Sequence, residues 1–187
     1  MTTKQRYQQV IEWFKSAMPV AETELHYDSP FHLLLAVILS AQCTDKRVNM
    51  TTPALFEAYP TPQDMAEATA EDIFPYIKSI SYPNNKAKHL SVLSGQIVER
   101  FGGEVPSDPD DLQSLQGVGR KTANLLLGDL YAVPGSVVCD THCIRISNRL
   151  GLCDKKDPVH VEKTLVPMIP PEKSSDFCHR LVWFGRD

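Results

Sequence analysis

The sequence predicts an all-α protein. Three observations carry that expectation: helix-start devices recur along all 187 residues, the longer apolar stripes follow a helical period, and no segment alternates as a convincing strand would. Many short helices packed through short loops follow from this pattern.

At the N-terminus Thr2 and Gln5 form a capping-box pattern, and Val10, Ile11, Phe14, Ala17 and Met18 share one helical face until Pro19. Ser29-Pro30 supplies a cap and a first-turn proline to a helix from Phe31 that is apolar nearly all round, which predicts a buried, central helix. Thr52-Pro53, Thr61-Pro62 and Asp157-Pro158 repeat the device, each read as a helix start. After Asn84-Asn85, the residues Ala87, Leu90, Leu93, Ile97, Val98 and Phe101 form one stripe, closed by Gly102-Gly103 at the C-terminal cap. Asp108-Pro109 opens a short helix over Asp110 to Ser114. Further helices are expected from Arg120 to Tyr131, from Thr141 to Leu150 before Gly151, and from Ser174 to Phe184.

With 42% hydrophobic and 22% charged residues, the chain suits one compact body or two small lobes and excludes disorder. Five cysteines, an odd count with no CxxC pair and no leader pattern, lead to the expectation of free thiols in a reducing, cytoplasmic setting. The apolar run from Phe31 to Ala41 is too short to cross a bilayer, so no membrane role is expected. A formal charge of -4 counts against indiscriminate nucleic-acid binding, but the charge is uneven. Acidic residues gather at Asp64, Glu67, Glu71 and Asp72 and again at Glu104, Asp108, Asp110 and Asp111. Lys78, Lys86, Lys88, Arg120, Lys121, Arg145 and Arg149 fall elsewhere and allow a basic face.

The stretch Leu115-Gln116-Gly117-Val118-Gly119 turns the chain between two helices. Glycines permit positive φ and let a ligand approach the backbone, so the N–H groups of the hairpin and of the next helical turn would together receive a phosphate. Val118 would pack between the helices; a plain glycine turn is the alternative. Lys121 then stands at a helix start, where the backbone dipole is already positive. If partly desolvated, its ammonium would lose charge more readily and become a nucleophilic amine; a cation that holds phosphate beside Arg120 fits the spacing equally well.

An amine nucleophile benefits from a nearby carboxylate, and Asp140 is the candidate. It follows the apolar stretch Gly135 to Cys139, expected to be extended and buried, and precedes a helix it would also cap; the two roles are compatible. His142 with Cys139 and Cys143 lacks a matching second pair, so small buried cysteines are preferred to a metal site, and no metal ligand is assigned.

At this point LQGVGRKTAN followed by VVCDTHCIRISNRLGL resembles the endonuclease III branch of the helix-hairpin-helix (HhH-GPD) DNA glycosylase superfamily. ILSAQCTDKRVN, IKSISYPNNKAKHL, GGEVPSDPDDLQSLQGVGRKTAN and SDFCHRLVWFGRD extend the likeness over almost the whole chain, in family order. The resemblance implies two helical lobes with a DNA-binding cleft between them: a six-helix lobe over about residues 23–133, and a second lobe from residues 1–22 with 134–187. It implies a monomeric, cytoplasmic base-excision enzyme that acts on double-stranded DNA containing damaged bases or abasic sites, removes oxidised pyrimidines, and cuts at the abasic site by β-elimination. The damaged nucleotide is extruded because the bond to be cut is inaccessible in the stack. By the same matching Lys121 is the catalytic lysine and Asp140 the catalytic aspartate. Gly117, Val118, Gly119 and Arg120 hold the DNA backbone, and Gln42 fills the gap left by the extruded nucleotide.

The resemblance departs at Phe184-Gly185-Arg186-Asp187, after which members continue into a loop whose four cysteines ligate a [4Fe-4S] cluster. The expectation is a chain cut just before that loop or a cluster-free variant. No cofactor is encoded in residues 1–187, and a cluster is expected only if a four-cysteine loop follows Asp187. Two rivals remain: a monofunctional glycosylase, which lacks a lysine at the matching position, and a noncatalytic DNA-binding module, which would have lost the lysine or the aspartate.

Overall fold

The structure, a computed structural model, describes residues 1–186. All regular structure in them is helical: α1 (Thr3–Ala17), α2 (Pro30–Ser40), α3 (Asp45–Ala58), α4 (Pro62–Ala66), α5 (Ala70–Ile77), α6 (Pro83–Phe101), α7 (Pro109–Gln113), α8 (Arg120–Tyr131), α9 (Thr141–Arg149), α10 (Pro158–Leu165) and α11 (Ser174–Arg186), with one 3-10 turn at Pro171–Lys173. None of these helices is long and apolar enough to cross a membrane. The chain divides into two compact units, residues 24–126 and residues 1–23 with those from 127 onward.

In the unit of residues 24–126, every residue of α2 from Phe31 to Leu39 is buried. The hydroxyl of Ser29 accepts from the N–H of His32 at 3.1 Å and starts the helix. Burying Leu33, Leu34, Leu35 and Leu39 contributes about 1.5–3 kcal/mol each. This helix packs on α3 and α6, while α4 and α5 pack on α6. The α6 stripe is buried at Ala87, Leu90, Leu93 and Ile97, and Gly102 ends the helix at φ 63°.

Three expectations change here. Thr52-Pro53 does not begin a helix: α3 starts at Asp45 with Thr44 as its cap, and Pro53 lies inside it. The helix is nucleated upstream and carried through the proline by burial of Val48, Thr51, Thr52 and Leu55. Asn84 and Asn85 lie within α6, whose first residue is Pro83. The helix α5, which the sequence reading passed over, is opened by a full capping box between Thr69 and Asp72. Its backbone and side-chain bonds from Thr69 hold the Asp72 carboxyl below its usual range.

The second unit joins α1 to the C-terminal helices. Phe14 meets Phe177 and Phe184 edge-on at 5.9 and 5.7 Å. The Tyr7 hydroxyl donates to Leu152 O at 2.6 Å, Arg6 to Gly151 O at 2.9 Å, and Arg180 Nε to Met18 O at 2.9 Å. The division between the units falls inside α8, between residues 126 and 127, rather than after residue 133. The reason is visible at Asp129, whose Oδ1 accepts from Ser175 Oγ at 2.6 Å and lies 2.8 Å from His179 Nε2, both on α11. Gly128 leaves room for this approach, since a Cβ there would come within 3.0 Å of Ser175.

Candidate functional site

The hairpin forms between α7 and α8 as its glycines predict. Asp108 caps α7 through the N–H groups of Asp110 and Asp111. Gly117 adopts φ 81°, and a Cβ on it would lie 3.2 Å from His89 Nδ1. Val118 is buried, so it anchors the turn. The expected set of outward N–H groups is smaller than the motif implies. Val118 donates to Leu115 O at 3.1 Å, and Gln116 donates to Gln96 Oε1 at 2.7 Å. The N–H groups of Gly117 and Gly119 find no partner among the described residues, and both glycines are exposed. Nothing lies within 4 Å of a Cβ built on Gly119. The bond from Ala123 N to Gly119 O at 2.9 Å opens α8, which places Arg120 and Lys121 on its exposed first turn. Two backbone donors, a helix N-terminus and two exposed cations thus occur within five residues of one another, a composition suited to an anion.

Asp140 is carried by a buried, non-regular segment, Ser136 to Cys139. Gly135 N donates to Pro171 O at 3.0 Å, and Val138 N donates to Cys178 Sγ at 3.2 Å, which ties the segment to α11 and the turn before it. The half-buried Asp140 is the N-cap of α9, its Oδ1 accepting from Cys143 N at 2.7 Å. The capping role is therefore present, and it holds the carboxylate in one orientation.

Cys139, Cys143 and Cys178 are buried free thiols. Hydrogen bonding to Cys139 and Cys178, with burial, pushes the Cys143 thiol far above its usual value and keeps it protonated. No group of three or more His, Cys, Asp or Glu suited to a metal ion occurs among the described residues. The cysteines present do not fit an iron–sulfur cluster.

Gln42 lies just beyond the C-terminus of α2, exposed and at φ 54°. Left-handed backbone is costly for a residue with a Cβ and gathers where function constrains the chain. A second such residue in this unit escaped the sequence reading: Tyr82, 62% exposed at φ 53°. A residue before proline is ordinarily extended, so no local pattern signals it. Its exposed ring offers a face for stacking on a base. Of the expected surface cations, Lys78, Lys88, Arg120, Lys121, Arg145 and Arg149 are exposed. Lys86 is not: it is buried, and burial lowers its pKa.

Residues 35–171 match the HhH-GPD superfamily of base excision DNA repair proteins. The chain is similar to the endonuclease III of Bacillus subtilis (strain 168), with 49% identity over 169 residues that cover 90% of this chain and 77% of that protein. Two solved structures resemble it along its whole length with a TM-score of 0.94 and 43% identity, covering 87% of each. One is an endonuclease III trapped as a covalent intermediate with DNA in an estranged-adenine complex, and the other is a non-covalent endonuclease III–DNA complex.

Proposed function

The chain belongs to the endonuclease III branch of the HhH-GPD superfamily of base excision DNA repair proteins, and on that premise we propose how its residues divide the work. It is a DNA glycosylase and abasic-site lyase that binds DNA. The observation that carries the mechanism is a lysine on the exposed first turn of the helix that follows a glycine hairpin, in a fold like that of an enzyme caught covalently on DNA.

Gly117 and Gly119 receive a backbone phosphate through their N–H groups, with Arg120 as a charged neighbour, so the hairpin fixes register without reading sequence. The Lys121 amine attacks C1′ of the deoxyribose as the base departs with its bonding electrons; the resulting aminal opens by breaking C1′–O4′, with a proton to O4′, to give an iminium, and loss of a C2′ proton then expels the 3′ phosphate by β-elimination. Lys121 is exposed, so its amine is accessible to DNA. Asp140, oriented by its cap bond, assists removal of the amine proton and opposes the positive charge that develops on the sugar. Gln42 offers its amide donors and acceptor to the base left without a partner. The substrate is duplex DNA carrying oxidised pyrimidines or abasic sites, and the protein acts as a monomer in the cytoplasm. Where a four-cysteine loop follows residue 187, that loop would hold the cluster; the five cysteines here take no part.

Sodium borohydride with an abasic-site duplex tests the assignment. Wild type is expected to give a covalent protein–DNA adduct and Lys121→Ala none. An undiminished adduct in Lys121→Ala removes the lysine from this role, and tight binding by wild type without an adduct favours a noncatalytic module.

A further inference from the structure

A lysine is rarely buried unless its charge is matched, because desolvating the ammonium is expensive. Lys86 is only 6% exposed and pairs with no carboxylate among the described residues. Its Nζ donates instead to Leu39 O at 2.9 Å, Ala41 O at 2.7 Å and Ser81 Oγ at 3.2 Å, which uses all three of its N–H groups. The two carbonyls belong to the C-terminal end of α2, where helical carbonyls lack intrahelical donors and the helix dipole is negative. Ser81 closes the figure by donating to the same Ala41 O at 3.2 Å. One ammonium therefore joins the end of α2 to the turn that precedes α6.

The residue after each of the two anchors is unusual. Gln42 follows Ala41 at φ 54°, and Tyr82 follows Ser81 at φ 53°. Among the described residues only Ala132 is a third non-glycine with positive φ. Such conformations persist only where the surroundings over-determine them. The ring of bonds through Lys86 joins the two turns that carry these residues.

We propose that Lys86 is a positioning residue for DNA recognition: its buried ammonium holds the Ala41 and Ser81 turns together and keeps Gln42 in the left-handed conformation that presents its amide to an unpaired base. The inference rests on the reading of Gln42 given above. Without the ammonium the Leu39 carbonyl loses its donor and Ala41 O keeps only the Ser81 hydroxyl, so the Gln42 turn relaxes toward negative φ, which redirects its side chain. Lys86 itself touches no DNA. Its effect reaches the duplex through Gln42.

The test is a double-mutant cycle on the full chain, read by fluorescence anisotropy with two duplexes, one undamaged and one bearing a tetrahydrofuran abasic-site analogue. Lys86→Met is expected to weaken binding to the abasic duplex about tenfold and to leave binding to the undamaged duplex within about twofold. In a Gln42→Ala background the same change is expected to cost less than about twofold, because the group it acts through is gone. An equal loss on both duplexes, or an undiminished loss in the Gln42→Ala background, overturns the proposal in favour of a general structural role. Should Lys86→Met fail to fold, Ser81→Ala removes one arm of the brace at a partly exposed position. It is expected to weaken abasic-duplex binding about threefold in the wild-type background and not at all in Gln42→Ala; no effect in either overturns the brace. The underlying reading fails separately: Gln42→Ala that binds the abasic duplex as wild type does removes Gln42 from recognition. A weakened Gln42→Ala with an unaffected Lys86→Met leaves that reading standing and sinks only the brace.

Discussion

Replacing Asp140 by asparagine and by alanine separates the two tasks given to one carboxylate. Its Oδ1 accepts from Cys143 N at 2.7 Å at the start of α9. Asparagine keeps an oxygen at that place and caps as well as aspartate, whereas alanine removes the acceptor and leaves a first-turn N–H unsatisfied, a loss of about 1 kcal/mol. For a protein of this size that lowers the melting temperature by about 2–4 °C. Catalysis should divide differently, because both substitutions remove the negative charge. Losing a positioned general base slows the step it serves by about 10² to 10⁴-fold, so borohydride trapping should slow by at least about a hundredfold in both variants. Circular-dichroism melts and trapping time courses on the same preparations measure the two effects. Trapping by Asp140→Asn at the wild-type rate would refute the catalytic assignment and leave only the cap. A melt of Asp140→Ala that coincides with wild type would show that the cap contributes nothing.

Two further outcomes follow from the geometry. Gly117→Ala places a Cβ at φ 81° and 3.2 Å from His89 Nδ1, which should cost about 1–2 kcal/mol and weaken binding to every duplex sequence alike; a sequence-dependent loss in a panel of duplexes would contradict a backbone-anchoring hairpin. Tyr7→Phe leaves the buried Leu152 carbonyl without its 2.6 Å donor, expected to cost about 1–3 kcal/mol in denaturant unfolding. Burial, and then the nearby Cys153 and Cys143 thiols, raise the Tyr7 hydroxyl above its ordinary value of 10, so the stability it contributes is complete below that pH and is lost as pH rises from there toward the folded value. Wild type should therefore lose stability more steeply above pH 10 than Tyr7→Phe does; parallel curves would exclude that linkage.

Much of the molecule was legible one segment at a time. The starts of α1, α2, α4, α7 and α10 and the glycine end of α6 are short-range events, each decided by a capping side chain, a first-turn proline or a positive-φ glycine within a few residues. The hairpin and the cap at Asp140 belong to the same class. Lys121 and Asp140 were singled out by chemistry and spacing, then assigned roles by family resemblance.

Where local rules failed, distant atoms prevailed. Thr52-Pro53 carries the signature of a helix start, yet packing of Val48 and Leu55 runs α3 through it. Gln96, twenty residues before the Gln116 amide, takes an N–H that the hairpin motif alone would leave to a ligand.

Sequence by itself determined the helical class, most helix limits, the glycine hairpin and the residues able to do amine and carboxylate chemistry, because helix periodicity, caps and turns depend on neighbours in the chain. Tertiary structure alone decided that Lys86 is buried, that Gln42 and Tyr82 are held in left-handed backbone, and that Asp129 fastens the end of α8 to α11. Lys86 and Asp129 find their hydrogen-bond partners tens of residues away, and a choice among distant partners is made only when the fold excludes water from the others.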